Sequence, residues 1–145
     1  NLFCSQNGVS SQHFGFFKPI LYFLEQRTGV SPHRILRIRI RRTFNVIGHN
    51  ETKYNRPHVY LPKVEPFTTL VYYIDETDGD TILFKEKYTP GLVIENFDFS
   101  TLTLDKRFSP KKGSGVLFDG FTFHAGNNPV KYQKRTIVNF DFTQK

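Results

Sequence analysis

The chain has 145 residues, 38% of them hydrophobic, with a net charge of +7 and a single cysteine. That length gives one domain with one core, and no apolar run in it is long enough to cross a bilayer. One cysteine, Cys4, excludes an internal disulfide and implies a reducing, intracellular (cytoplasmic) setting.

The 16 Phe and 7 Tyr suit a pleated, half-buried surface better than a helical bundle. The positive charge favours anionic partners, whether phosphate, carboxylate, nucleic acid or an acidic protein surface, and also suits a plain soluble basic domain. The sequence contains no Met, and Asn1-Leu-Phe-Cys4 has no basic-then-apolar signal pattern, so residues 1–145 read as a single domain lacking part of its N-terminus.

Residues 1 to 16 show no regular element. Pro19 to Thr28 reads as a helix, with Pro in front, Ile20, Phe23 and Leu24 at helical spacing and Gly29 at the close, packed on the outside of a sheet. Arg34 to Val46 alternates Arg37, Arg39 and Arg41 with Ile38 and Ile40. That period predicts a strand with the isoleucines inward and a row of guanidinium groups outward. The row reads either as a phosphate-tracking strip or as a solvated face paired with acidic neighbours. The second is preferred, because no aromatic residues interleave the arginines.

After the polar stretch Gly48 to Arg56 comes Pro57-His58-Val59-Tyr60. Phe67 to Asp75 and Thr81 to Phe84 read as two strands of one hairpin across Glu76 to Asp80, with Asp78 and Asp80 as turn formers. Leu92 to Ile94 reads as another strand, Phe97 to Leu104 as an alternating stretch, and Ser109 to Gly113 as turns. The segment from Gly115 to Phe142 then reads as a strand, the turn Asp119-Gly120, a loop bearing His124, and a final strand opened by Arg135. One helix with about eight short strands is the pattern of an all-β core, a jelly roll or small barrel with a flanking N-terminal helix.

Pro57-His58-Val59, Leu70 to Phe84, Gly115 to Phe118, His124 to Pro129 and Arg135 together resemble the iron(II) and 2-oxoglutarate-dependent dioxygenases, within them the small bacterial and viral proteins of the prolyl-4-hydroxylase-like branch. The resemblance runs from about Arg37 to Phe142 and implies a double-stranded β-helix, a form of jelly roll. It implies Fe(II) and 2-oxoglutarate as cofactors, with ascorbate as a possible reductant, and hydroxylation of a C–H bond in a peptide or small molecule with release of succinate and CO₂.

Carried over position by position, His58 and His124 are the histidine ligands of iron, and Arg135 pairs with the distal carboxylate of 2-oxoglutarate. Tyr72 or Thr81 adds a hydroxyl to that carboxylate or to the substrate pocket. Neutral imidazoles with a carboxylate suit non-haem Fe(II), and the planar fork of arginine suits a carboxylate. His13, His33 and His49 read instead as ordinary core or surface histidines.

The sequence departs from the family two residues after the first histidine, where Tyr60 stands in place of the carboxylate ligand. Tyr60 could itself ligate the metal. A carboxylate from elsewhere could complete the set: Glu51, in a His49-Asn50-Glu51 run, or Glu65. A halide or water could fill the place. Or the domain could have kept the pocket for binding without turnover. Beside the oxygenase reading stand a degenerate jelly-roll binding module and a nucleic-acid-associated oxygenase resting on Arg37, Arg39 and Arg41.

Overall fold

The period-two run around Ile38 and Ile40 becomes β3 (Pro32–Phe44), and the β-branched and aromatic run near the C-terminus becomes β9 (Lys134–Gln144). They pair antiparallel from Pro32 opposite Gln144 to Phe44 opposite Lys134 and form the spine of one sheet. The computed structural model describes residues 2–5, 8–9, 11–60 and 65–145, the first two segments by their backbone alone. Among the described residues it is mostly β, with two antiparallel sheets and one α-helix.

The large sheet runs β2-β1-β3-β9-β4-β7, adding β1 (Leu2–Ser5), β2 (Gly8–Val9), β4 (Thr68–Tyr73) and β7 (Gly115–Asp119). The small sheet runs β6-β5-β8, from β6 (Leu104–Phe108), β5 (Thr81–Lys87) and β8 (Thr122–Gly126). Apolar residues fill three layers. Val71, Tyr73, Val116, Phe118 and Ile137 of the large sheet meet Leu83 of the small one. Ile38, Leu70, Val138, Phe140 and Phe142 face the other way, under α1 (Lys18–Thr28). On the far side of the small sheet, Ile82, Phe84, Phe123 and Ala125 are covered by Phe97, Phe99 and Leu102. Full burial of each large side chain contributes about 1.5–3 kcal/mol, so all three layers hold the sheets in place.

The helix forms where Pro19 and Gly29 bracket it. Gly29 sits at φ 71°, and its N–H closes the last turn on the Glu25 carbonyl. Its inward stripe is the partly buried Ile20, Leu21 and Leu24, continued by Phe17, and Phe23 is exposed rather than inward.

Other expectations change. The N-terminal stretch carries β1, β2 and a 3₁₀ turn over Gln12–Phe17. Cys4 falls in β1, and its side chain lies outside the described residues. Leu92 to Ile94 is not a strand, and Phe97 to Leu104 is mostly irregular with a 3₁₀ turn at Phe99–Thr101; the apolar side chains there plug the small sheet from outside.

β4 and β5 do not form a hairpin, since β4 pairs with β7 and β9, and β5 with β6 and β8. Nearly all of β4, and β5 from Thr81 to Phe84, are buried on two faces, so their pattern carried no information about which sheet each joins. Asp78 and Asp80 accordingly bond remote chain rather than their own turn. Asp78 accepts the N–H groups of Val130, Lys131 and Tyr132, while Asp80 meets Ser109 and Arg107.

Candidate metal and anion site

His58 and His124 are cross-strand partners. The segment after Pro57 touches β8 through one antiparallel bridge, in which the His58 N–H donates to the His124 carbonyl at 2.9 Å and the His124 N–H returns the bond at 3.0 Å. Directly opposed residues project to the same face, and the two imidazole centroids stand 4.6 Å apart. Val59 and Phe123, the residues beside them, turn outward into the small sheet's apolar cover, which locks this parity. His124 thus lies in the middle of β8, not in a loop after a strand as its flanking turn dipeptide suggested.

The tautomer of both rings follows from their neighbours. Nδ1 of His124 lies 2.9 Å from the Thr122 carbonyl, and Nδ1 of His58 lies 3.2 Å from the Arg56 carbonyl. A carbonyl only accepts, so each Nδ1 donates, and in a neutral imidazole Nε2 is then a bare lone pair. Both Nε2 atoms are buried and have no hydrogen-bond partner. Burial, reinforced by the charges of Arg41, Arg37 and Arg39, lowers the pKa of His58 to about 4; burial, then the neighbouring His58, lowers that of His124 to about 3. Two neutral imidazoles with ligand lone pairs facing one space are the donor set that a divalent transition metal takes.

Tyr60 is the third ring of the group, its centroid 4.9 Å from that of His58 and 4.4 Å from that of His124. The guanidinium of Arg37 lies 4.8 Å from the Tyr60 ring and is fixed from behind by Asp141, a fully buried carboxylate that also accepts from Thr69 at 2.7 Å. Burial, then the Asp141 charge, holds the Tyr60 phenol above its ordinary pKa.

The anion side is built from β9 and β5. Arg135 is 3% exposed, its Nη2 donates to Thr81 Oγ1 at 2.8 Å, and Tyr73 donates to the same oxygen at 2.7 Å. Gly126 leaves room for the guanidinium, since a Cβ there would stand 3.3 Å from Nη1. Among the described residues no carboxylate pairs with Arg135, and its Nε has no partner. A buried cation without a counter-charge is costly, and an incoming anion would relieve that cost.

His58, Tyr60, Thr81, His124 and Arg135 line one cavity of about 20 Å³, space for about one water molecule. The sequence matches no family model and no curated protein.

Of the residues singled out in the sequence, His58, His124, Tyr60, Arg135 and Thr81 therefore converge on one cavity. Tyr72 does not. It sits on the opposite face of β4, in the layer under α1, and the hydroxyl beside Thr81 is that of Tyr73. Choosing between adjacent tyrosines needs the parity of β4, which a strand buried on both faces conceals.

Glu51 is exposed and paired with Lys131 at 3.0 Å, and Glu65 is exposed and paired with Arg34, so neither carboxylate completes the metal set. His49 bonds Asn127 and helps anchor the 45–53 loop. Among the described residues no group of three His, Cys, Asp or Glu could hold a metal.

The arginine row is corrected as well. Arg37 and Arg41 face the cavity side of β3, Arg37 mostly buried against Asp141 and Arg41 at the cavity wall. Asp141 was not foreseen, yet Arg135, Ile137, Asn139 and Asp141 recur with period two along β9 and share its inner face.

Proposed function

We propose that this protein is an Fe(II)- and 2-oxoglutarate-dependent oxygenase that hydroxylates a C–H bond of a small molecule or peptide, built on a double-stranded β-helix. The observation that carries the reading is the pair of buried, partnerless Nε2 atoms on His58 and His124, fixed in the metal-binding tautomer by the Thr122 and Arg56 carbonyls.

The strand order supports the fold. If the bridged segment at His58 counts as a short strand beside β8, the core strands order as β3-β9-β4-β7 in one sheet and β6-β5-β8 with the His58 segment in the other. From β3 onward the chain crosses between the sheets at every step except β5 to β6, as in a jelly roll.

In this reading His58 and His124 hold the metal, and Tyr60 occupies the third protein-ligand position. Arg135 binds the distal carboxylate of 2-oxoglutarate, with Thr81 fixing the guanidinium. Val71 and Ile137 keep one wall of the cavity dry. The metal with its 2-oxo acid supplies the oxidising power for C–H hydroxylation, with succinate and CO₂ as co-products and ascorbate as auxiliary reductant. A five-carbon diacid is larger than the present cavity, so its admission requires the Tyr60 ring to turn or the loop bearing Asn55 to lift.

A second reading, a binding pocket without turnover, is favoured by one observation: Tyr60 stands where an anionic ligand is needed, and no described carboxylate replaces it.

Anaerobic titration of metal-free protein with Fe(II) and 2-oxoglutarate tests both. The oxygenase reading expects a visible charge-transfer band, abolished in His124→Ala, and stoichiometric succinate once O₂ is admitted. A band without succinate selects the binding pocket, and the absence of any band with iron in excess overturns the metal site.

A further inference from the structure

Outside the cavity, and sharing Arg41 and His58 with it, runs an open groove of about 390 Å³. Pro57, Ile94 and Phe99 give it an apolar floor, and Arg41 and Arg56 give it cationic walls, with Glu95 at its rim. The Arg56 guanidinium carbon lies over the Phe99 ring, 4.8 Å from its centroid.

The row on β3 leads into this groove. Arg37, Arg39 and Arg41 stand opposite Asp141, Asn139 and Ile137 in the β3–β9 register and so share one face of β3, with Arg41 at the groove and Arg39 exposed beside it. Asp141 neutralises Arg37, but among the described residues Arg39, Arg41 and Arg56 have no carboxylate partner. Arg39 and Arg41 repeat every two residues, about 6.6 Å along a strand, a spacing close to that of phosphates on an extended single strand. No aromatic residue interleaves these arginines in the sequence; Phe99, 58 positions beyond Arg41 (99 − 41), reaches the groove only through the fold.

We propose that the substrate of this site is a single-stranded polynucleotide, its phosphates on Arg39, Arg41 and Arg56 and a base against the Phe99 and Arg56 pair, next to His58. Unpaired guanidinium groups supply the phosphate contacts, and an aromatic ring edged by a cation is a base platform that tolerates any sequence. An acidic peptide would also be drawn to the charge, but it makes no use of that pair. The inference rests on the oxygenase reading but puts a polynucleotide in place of a small molecule or peptide as its substrate, and binding itself needs no metal.

The test is fluorescence anisotropy of metal-free protein with a labelled oligothymidylate 12-mer, across salt concentrations, with poly-glutamate as competitor. The expected result is salt-sensitive binding, log Kd against log salt having a slope of about 2 for three phosphate contacts, at about 0.7 per contact on single strands. Arg41→Ala with Arg56→Ala should weaken binding at least tenfold and flatten the slope. Phe99→Ala should weaken it with the slope unchanged. Because the protein is assayed without metal, the oligonucleotide result does not depend on whether Fe(II) and 2-oxoglutarate bind, so failure of the oxygenase chemistry and failure of this proposal are separate results. No binding at low salt, binding indifferent to the arginine changes, or equal displacement by poly-glutamate each overturns it.

Discussion

Arg37 and Asp141 form a buried ion pair directly behind the candidate site: Nη2 and Nε of the arginine both reach Asp141 Oδ2, at 2.8 and 2.9 Å, while the guanidinium backs the Tyr60 ring at 4.8 Å. Removing one partner of such a pair strands the other charge. Asp141→Asn should therefore cost about 3–5 kcal/mol in urea unfolding, and a joint Arg37→Met, Asp141→Leu change should recover most of it. A loss below about 1 kcal/mol for Asp141→Asn would show that solvent already screens Arg37.

The two imidazoles predict acid sensitivity. Their folded pKa values, about 4 for His58 and about 3 for His124, lie below the unfolded value of 6.5. Between those limits the unfolded chain takes up protons that the folded chain refuses, so stability is fully present above pH 6.5 and falls as the pH drops toward 3. Each tenfold loss of proton affinity on folding is worth about 1.4 kcal/mol, so the destabilisation should reach roughly 3 kcal/mol or more, read from urea midpoints at pH 7, 5.5 and 4.5. Replacing both histidines by Asn should flatten the profile between pH 6.5 and 4.5, and a profile unchanged by that replacement would contradict the burial described here.

Tyr60→Asp should strengthen metal binding, because it adds a small anionic donor to two imidazoles already in place. Titration with Co(II), followed by its visible spectrum, should show at least tenfold tighter binding than the parent chain, and His58→Ala should remove most of that gain. Equal affinity in the parent and Tyr60→Asp chains would mean that position 60 does not point at the metal.

Arg135 predicts a split between stability and ligand response. Arg135→Met removes a buried cation with no acidic partner, so the ligand-free protein should lose nothing in urea unfolding and could gain about 1 kcal/mol or more. The same change should abolish stabilisation by 2-oxoglutarate, which at a ligand concentration of 100 times Kd is worth about 2.7 kcal/mol in the parent protein. Retained stabilisation would place the acid elsewhere.

Gly79 sits at φ 95° where the turn before β5 passes the segment between β8 and β9, and a Cβ there would lie 2.8 Å from the Asn127 carbonyl and 3.1 Å from Arg135 Cδ. Gly79→Ala should cost about 1–3 kcal/mol from backbone strain alone and disturb the Arg135 side chain as well. Thermal melts of the two proteins decide this.

Local chemistry fixed much of this molecule before any folding. The β-branched and aromatic runs determined β3, β4 and β9, the Pro and Gly brackets determined the helix, and residue types at family-like positions marked His58, His124, Thr81 and Arg135. Tertiary structure decided everything that depends on which face and which sheet. Strands apolar on both faces carry no parity, so only packing could set Tyr73 rather than Tyr72 beside Thr81 and send β4 and β5 to different sheets. Likewise an arginine in a basic strip reads as solvated until a buried carboxylate 104 residues away, Asp141, is brought against it, because a charge pair across the fold leaves no trace in local sequence.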